Sequence, residues 1–578
     1  MDSLRNTFMS AYKNRLYPNR WDWLALCLVL AIIGFFAWSA KQMSVPYHLG
    51  EQIPISLDPR HLPSYALQTA ARMFVALLFS LLFTFIFGTW AAKSKRAERL
   101  IIPVIDILQS IPVLGMLSIT IVGFIALFPN RLLGPECAAI FAIFTSQAWN
   151  MAFGFYQTVR TVPSDLNEAA KMFHLSAWQK FWRIDVPFSW PGLLWNMMLS
   201  MSSGWFFVVA CEAISVSNQQ ILLPGIGSYI TYAIANADMR AIGYAILAMF
   251  FMILIYDQIL FRPLVSWAEK FKYEQGWHER SSDSWVITLL HRTRVLKKLT
   301  EPFENIFNAM VNVSIFRKTK IKEISSSPRY ERILNWGWNI LLAALFLGSL
   351  GFLFYFVFTN LPAASISHVF RLGFYTAIRV FFSIILCSLI WIPIGVWLGL
   401  RSGAAKIAQP IAQFLAAFPA NLLYPLFVIG IVKYHLNPEI WLTPLMILGA
   451  QWYVLFNVIA GASQIPKDLL QVTDMFGVTG WSRWKKLILP GIFPYFITGA
   501  ITAVGGAWNA SIVAEVVSWG NQKLVASGIG AYISEYTTAG DFPHIALGIG
   551  VMCIFVLTLN RLVWRPLYVL AVTRFRLD

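Results

Sequence analysis

The chain has 578 residues, of which 57% are hydrophobic and only 13% charged, with 24 Trp and a net charge of +17. Soluble domains carry roughly 25% charged residues, so a mean hydropathy of +0.61 excludes that class and gives an integral membrane protein in contact with a lipid bilayer. In such a chain the basic excess belongs to cytoplasmic loops, not to a nucleic-acid site, and five cysteines scattered singly form neither metal spacing nor a disulfide framework.

From the N-terminus, a basic stretch over 1–20 precedes the apolar run WLALCLVLAIIGFFAW at 23–38. It reads as an uncleaved first span starting inside; a cleavable signal with Ala37 and Ser39 at its end is the alternative. Further apolar runs place spans near 67–91, 101–127, 137–160, 190–216 and 241–262. A second set falls near 336–358, 370–400, 407–431, 440–460, 491–516 and 543–563.

The two sets are copies. TAARMF (69–74) returns as TAIRVF (376–381), and on the same offset of 307 Gly88 meets Gly395 and Pro112 meets Pro419. After a shorter loop the offset is 303. Trp149 then meets Trp452, Glu212 meets Glu515, and GIGSYI meets GIGAYI. Between 163–191 and 466–494, 8 of 29 positions are identical, where unrelated sequences match at about two. The expected fold is therefore all-α, with two tandem, parallel six-helix halves and about 12 transmembrane helices. The expected division is a cytoplasmic N-terminus (1–20), a first half (21–264), a basic cytoplasmic linker (265–335) and a second half (336–578). KSKRAERL (93–100), the linker and the loops after each fourth span are basic, which sets them, and both termini, on the cytoplasmic side.

Those loops interrupt an oily chain with polar helical grammar. Asp165 and Glu168 predict a capping-box start, and Ala169, Ala170, Met172 and Phe173 continue the helix. Gly477 predicts its stop in the second copy, and Ser176 and Thr479 are expected to cap a second short helix. The result is a helix-turn-helix knob with Met172 and Phe173, or Met475 and Phe476, at its tip. An amphipathic loop on lipid headgroups is the bland reading; two matched knobs favour a two-fold partner.

Glu168-Ala169-Ala170 with Ile184 and Val186-Pro187 resembles the EAA loop of permease subunits of binding-protein-dependent ABC importers. Around Trp205, Glu212 and Gly225-Ile226-Gly227, and their second copies, the chain is most similar to the nitrate/sulfonate/taurine branch. The resemblance implies a type I ABC importer permease, two halves fused in one chain, in a bacterial inner membrane. It also implies two ABC ATPase subunits gripping the loops, a periplasmic or extracellular substrate-binding protein, and a small-molecule cargo such as nitrate, a sulfonate or taurine. No cofactor is expected in this chain, with ATP and Mg on the ATPases, since no GxxxxGK[ST] occurs. His174 stands where the family favours Gly, and Gln471-Val472-Thr473 replaces Glu-Ala-Ala. These departures imply either ATPases engaged unequally or two different ATPase chains.

Ionisable residues within spans usually have partners or a task. Arg72 and Arg379 lie near the outer ends of their spans, as do Glu212 and Glu515, which predicts pairs Arg72–Glu212 and Arg379–Glu515, acting as helix braces or as an outer gate. Trp205 and Trp508, seven residues earlier on the same helical face, are pathway candidates, although an aromatic at this spacing is more often a packing residue; Asp106 with its counterpart Gln413 is another candidate pair. Gln109 and Asn509 are further ones. No constellation suggests an enzyme, which leaves a transport subunit; the rival is an ATP-independent secondary transporter with two six-span halves.

Overall fold

The computed structural model describes residues 20–48, 51, 53–110, 113–216, 219–268, 285–293, 295–312 and 328–574. Most of the N-terminal segment 1–20 and part of the linker therefore lie outside the described residues. The first half runs α1 (Arg20–Met43), α2 (Leu62–Phe83), α3 (Lys95–Ser110), α4 (Val113–Leu127) and α5 (Leu133–Arg160). The short α6 (Ser164–Met172) and the long α7 (Val186–Glu212) follow, then strands β1 (Ala213–Val216) and β2 (Gln219–Leu222), α8 (Ile226–Ala235) and α9 (Met239–Tyr256). Linker helices α10 (Trp285–Arg292) and α11 (Val295–Val311) lead to the second half. It repeats the order as α12 (Pro328–Asn360), α13 (Ala363–Gly399), α14 (Ser402–Ala417), α15 (Tyr424–Lys433), α16 (Thr443–Ser463), α17 (Lys467–Met475), α18 (Leu489–Ala514), β3 (Val516–Trp519), β4 (Gln522–Val525), α19 (Ile529–Ala539) and α20 (Phe542–Leu559). The repeat reaches into detail: π-helical turns at Phe181–Asp185 and Asp257–Phe261 recur at Trp484–Ile488 and Asn560–Trp564. The fold is all-α and membrane-embedded in its make-up, with two matched halves.

Among the described residues nine helices are long and apolar enough to cross a membrane, or ten if a bent pair counts as one span. That count is consistent with the expected two six-helix halves, and two physical features account for the crossings that fall short of it. The third crossing of each half is not one helix. In the second half it is bent by 81° between Ile411–Ala417 and Ala420–Lys433, at Pro419, whose ring removes a backbone donor and displaces the preceding residue from helical geometry. In the first half it divides into α3 and the 15-residue α4. The fourth span, α5, is 28 residues long but carries Glu136, Gln147, Asn150 and Gln157, which dilute its apolar character. The sequence pattern also missed the two antiparallel hairpins, β1–β2 and β3–β4, that end α7 and α18.

The broken crossings join the halves. Leu422 is buried among first-half residues of α2, α5 and α7, whereas Val113, Leu117 and Ile121 of α4 belong to the cluster that holds the second half's core, together with first-half residues of α5 and α7. Polar contacts seal each crossing point: Val113 N donates to Asn509 Oδ1 at 3.1 Å, and Asn421 Nδ2 donates to the Phe206 carbonyl at 3.2 Å. Phe206 and Asn509 are equivalent on the 303 offset, so the two halves use matching positions with different chemistry. By contrast α1 and α12 bury only 6% of their most apolar windows, as helices facing hydrocarbon should.

Candidate functional site

Each knob is a helix, a turn and a second short helix set before a long span. Its start differs from expectation: Pro163 and Pro466 occupy the N-cap positions and no side chain caps either helix. Asp165 lies within the first turn, where a carboxylate still complements the helix dipole, so it forms no capping box with Glu168. Ser176 does cap the second short helix, with Gln179 completing a reciprocal box, whereas Thr479 makes no side-chain cap bond. Both first helices end alike. Leu175 N bonds the Ala170 carbonyl and Val478 N bonds the Thr473 carbonyl, at 3.0 and 2.8 Å. That closure needs a left-handed residue, which is Gly477 (φ 62°) in one knob and His174 (φ 50°) in the other.

The tips are bare. Met172 and Phe173 are 80% and 77% exposed, and Met475 and Phe476 are 85% and 79% exposed. Glu168 and Gln471 are exposed on the same helices, Ala169 is half-buried and Ala170 buried. Each knob thus holds two large apolar side chains out from the end of a short helix.

At the opposite end of α7 and α18, about 40 Å away by helix rise, each half holds a buried ion cluster. The Arg72 guanidinium donates to both oxygens of Glu136 and to Glu212 Oε1, each at 2.6 Å, and to the Pro224 carbonyl at 2.9 Å. Thr69 Oγ1 donates to Glu212 at 2.7 Å and Gly227 N to its other oxygen at 2.6 Å. The second half repeats the pattern. Arg379 pairs with Glu515 at 3.1 Å and also with Glu439, while Thr376 Oγ1 and Gly530 N hold Glu515 at 2.7 and 2.8 Å. A Cβ at Gly225 or Gly528 would overlap the Glu212 or Glu515 carboxyl group, so these glycines are what allow the loop to close over the charge.

The structure thus brings together Arg72 with Glu212 and Arg379 with Glu515, and adds Glu136 and Glu439. The latter two were legible: Pro135-Glu136 and Pro438-Glu439 are related by the same 303 offset. The clusters are not identical. Arg72, Glu136 and Glu212 are at most 1% exposed, whereas the Glu439 side chain is 42% exposed.

Between knobs and clusters, a cavity of about 180 Å³ lies where the halves meet. Its walls carry hydroxyls and amides, including Ser146, Asn150, Ser203 and Asn509, with Trp149 and its repeat partner Trp452, and the described lining has no charged side chain. Gln109 lines it too. A second space of about 430 Å³ lies toward the hairpins. Of the two readings for Trp205 and Trp508, the geometry is that of packing: at 1% and 2% exposure they fill the cores of their halves, Trp205 edge-on to Tyr256, and line neither space. Gln413 faces a small side space and donates to Met198 Sδ at 3.3 Å. Asp106 lines none of these cavities and lies in the field of Arg565. Among the described residues no cluster of His, Cys, Asp and Glu could hold a metal.

The sequence model of the family described as "Binding-protein-dependent transport system inner membrane component" matches residues 59–260 and 391–575, well over half of the chain. Over 186 residues the chain is 28% identical to the bicarbonate transport system permease protein of Synechococcus elongatus, covering 32% of this chain and 64% of that protein. It is 25% identical over 185 residues to the nitrate import permease protein of Leptolyngbya laminosa, covering 32% and 63%. To the glycine betaine/proline betaine transport system permease protein of Escherichia coli it is 27% identical over 172 residues, covering 29% and 46%. Each of these relatives is matched over less than two thirds of its own length.

Proposed function

The chain belongs to the family of binding-protein-dependent transport system inner membrane components, represented twice along its length, and from that premise we infer that it supplies both membrane halves of an ATP-driven importer. The observation that carries this reading is the pair of repeat-related knobs with bare Met-Phe tips. They lie on the side of the basic loops, hence in the cytosol, where ABC ATPases would seat. The halves are taken as 21–264 and 336–578, joined by 265–335, and the chain itself performs no chemistry. An ATPase pair closing on nucleotide would draw the knobs together and rotate the halves about the interface of broken helices. The central cavity would then open toward a loaded substrate-binding protein, and hydrolysis would reset it.

The cargo class is a small, oxygen-rich solute. Relatives named for bicarbonate, nitrate and betaine support it, as does a cavity lined by hydroxyls and amides with no fixed charge. Weak, adaptable hydrogen bonds suit a molecule that must leave as readily as it enters. The Arg–Glu clusters are read as braces that keep the hairpin end of each half rigid. A buried guanidinium with two carboxylates and a closed set of donors is costly to separate. If neutralising both Arg379 and Glu515 left uptake intact, a gate at that position would be ruled out.

The test is co-purification from the native membrane followed by reconstitution into vesicles. Bound ATPase and nucleotide-dependent uptake of labelled bicarbonate, nitrate or betaine support the reading. Accumulation driven by an ion gradient with no ATPase attached would replace it with the secondary-transporter alternative.

A further inference from the structure

The knobs are alike at their tips and different at their backs. In the first, Trp178 Nε1 donates to the Met310 carbonyl at 3.0 Å, Gln179 Nε2 reaches Asn312 Oδ1 at 3.1 Å, and Arg183 Nη2 reaches the same oxygen at 3.3 Å. The Phe307 ring meets Trp182 edge to face at 5.5 Å. All of these partners belong to α11 or the residue after it. Helix α11 packs in turn on α1, and α10 does so as well, with the Arg292 guanidinium 5.3 Å over the Trp21 ring. An ion pair from Lys93, at the end of the second span, to the buried Asp185 (2.7 Å) fixes the same knob from another side.

Among the described residues the second knob has none of this. On the 303 offset Trp178, Gln179, Trp182 and Arg183 become Trp481, Ser482, Lys485 and Lys486. Trp481 is 73% exposed, Lys485 and Lys486 are exposed, and Asp185 is replaced by Ile488. Its ion pair, Arg483–Asp474 at 2.7 Å, stays within the knob. A plain tether needs no such contacts. A 71-residue connection (265–335) only has to span the distance, at a closure cost that grows slowly with length, yet this one folds two helices and aims Phe307, Met310 and Asn312 at a single loop.

We propose that the segment joining the halves is a coupling brace: α11, clasping the back of the first knob, splints it to α1, so that the first knob is a fixed lever and the second a free one. The proposal rests on the reading of the knobs as ATPase-coupling loops. Its mechanical logic is direct. A lever held at its back passes displacement into the spans it is joined to, whereas an unheld one spends part of it in rotation about its own turns. The clasp leaves Met172 and Phe173 open, so it does not compete with a docked ATPase.

The experiment uses the full chain with its ATPases in vesicles, measuring uptake and hydrolysis together. Phe307→Ala with Asn312→Ala alters only the linker. The expected result is retained ATPase binding and a fall in solute moved per ATP of at least about fivefold, the low end of typical coupling between sites; an unchanged ratio overturns the brace. In a second variant Gln179→Cys and Asn312→Cys are oxidised to a disulfide. A permanent brace tolerates this and uptake persists; loss of uptake on oxidation, restored by reduction, means the contact must open in every cycle and the proposal is wrong. Failure of the unmodified complex to couple uptake to ATP at all would show, before any variant, that the coupling reading itself had failed.

Discussion

Arg72 is the side chain on which the first half's hairpin end depends. It is fully buried, and its removal would strand Glu136 and Glu212 without a counter-charge. Breaking a buried pair by deleting one partner costs about 3–5 kcal/mol, so Arg72→Ala is expected to abolish folded protein in detergent, read by size-exclusion profile and thermal midpoint. Arg379→Ala should cost less, because the Glu439 it leaves behind is 42% exposed and can take water. Equal losses would show that the clusters carry equal loads. Gly225→Ala forces a methyl group into the Glu212 carboxyl and should behave like Arg72→Ala. His174→Gly runs the other way. His174 sits at φ 50°, a conformation costing a non-glycine residue about 1–2 kcal/mol, so the variant should raise the thermal midpoint, whereas Gly477→Ala should lower it. These roles were unevenly legible. The Arg–Glu pairing followed from sign, depth and repetition, and Glu136 was missed although it repeats as Glu439, because only the arginines and the glutamates at the ends of the fifth spans were weighed as partners. Pathway and core readings of Trp205 and Trp508 both stayed open in the sequence, because a seven-residue spacing gives a helical face without saying what that face meets.

Each knob is a small element whose shape is set locally and whose purpose is external. The capping box at Ser176 and the left-handed closures at His174 and Gly477 make the helix-turn-helix without help from the tips. Replacing Met172 and Phe173, or Met475 and Phe476, with serine should therefore leave the fold and thermal midpoint unchanged while reducing ATPase co-purification. Loss of folded protein instead would mean the tips support the chain itself. The knobs could be read from sequence because polar punctuation within an apolar chain is conspicuous. The hairpins could not be, because AISV and VVSW are short apolar pieces at the end of long apolar helices, where strand and helix periodicities look alike. The broken third crossings were half visible: Pro112 and Pro419 were noted as repeat partners, but a proline within an apolar run is also tolerated in continuous membrane helices.

At the scale of the molecule, duplication gives two halves that meet through their broken helices, and divergence gives them unequal backs, unequal ion clusters and a cavity with Asn509 on one wall where Phe206 stands on the other. Pattern alone yielded the count of halves, their parallel order and the positions of the knobs. Packing between halves is invisible to it, since the same apolar surface buries equally well against lipid or protein. The account stands most directly on where the ATPase touches. Cysteines placed at Phe173 and at Phe476, in cells expressing the complete system, can be cross-linked in intact membranes and the adducts identified by mass. Adducts to an ATPase at both positions are the predicted result. Adducts at neither position, with both cysteines instead labelled by a lipid-soluble probe, would contradict it.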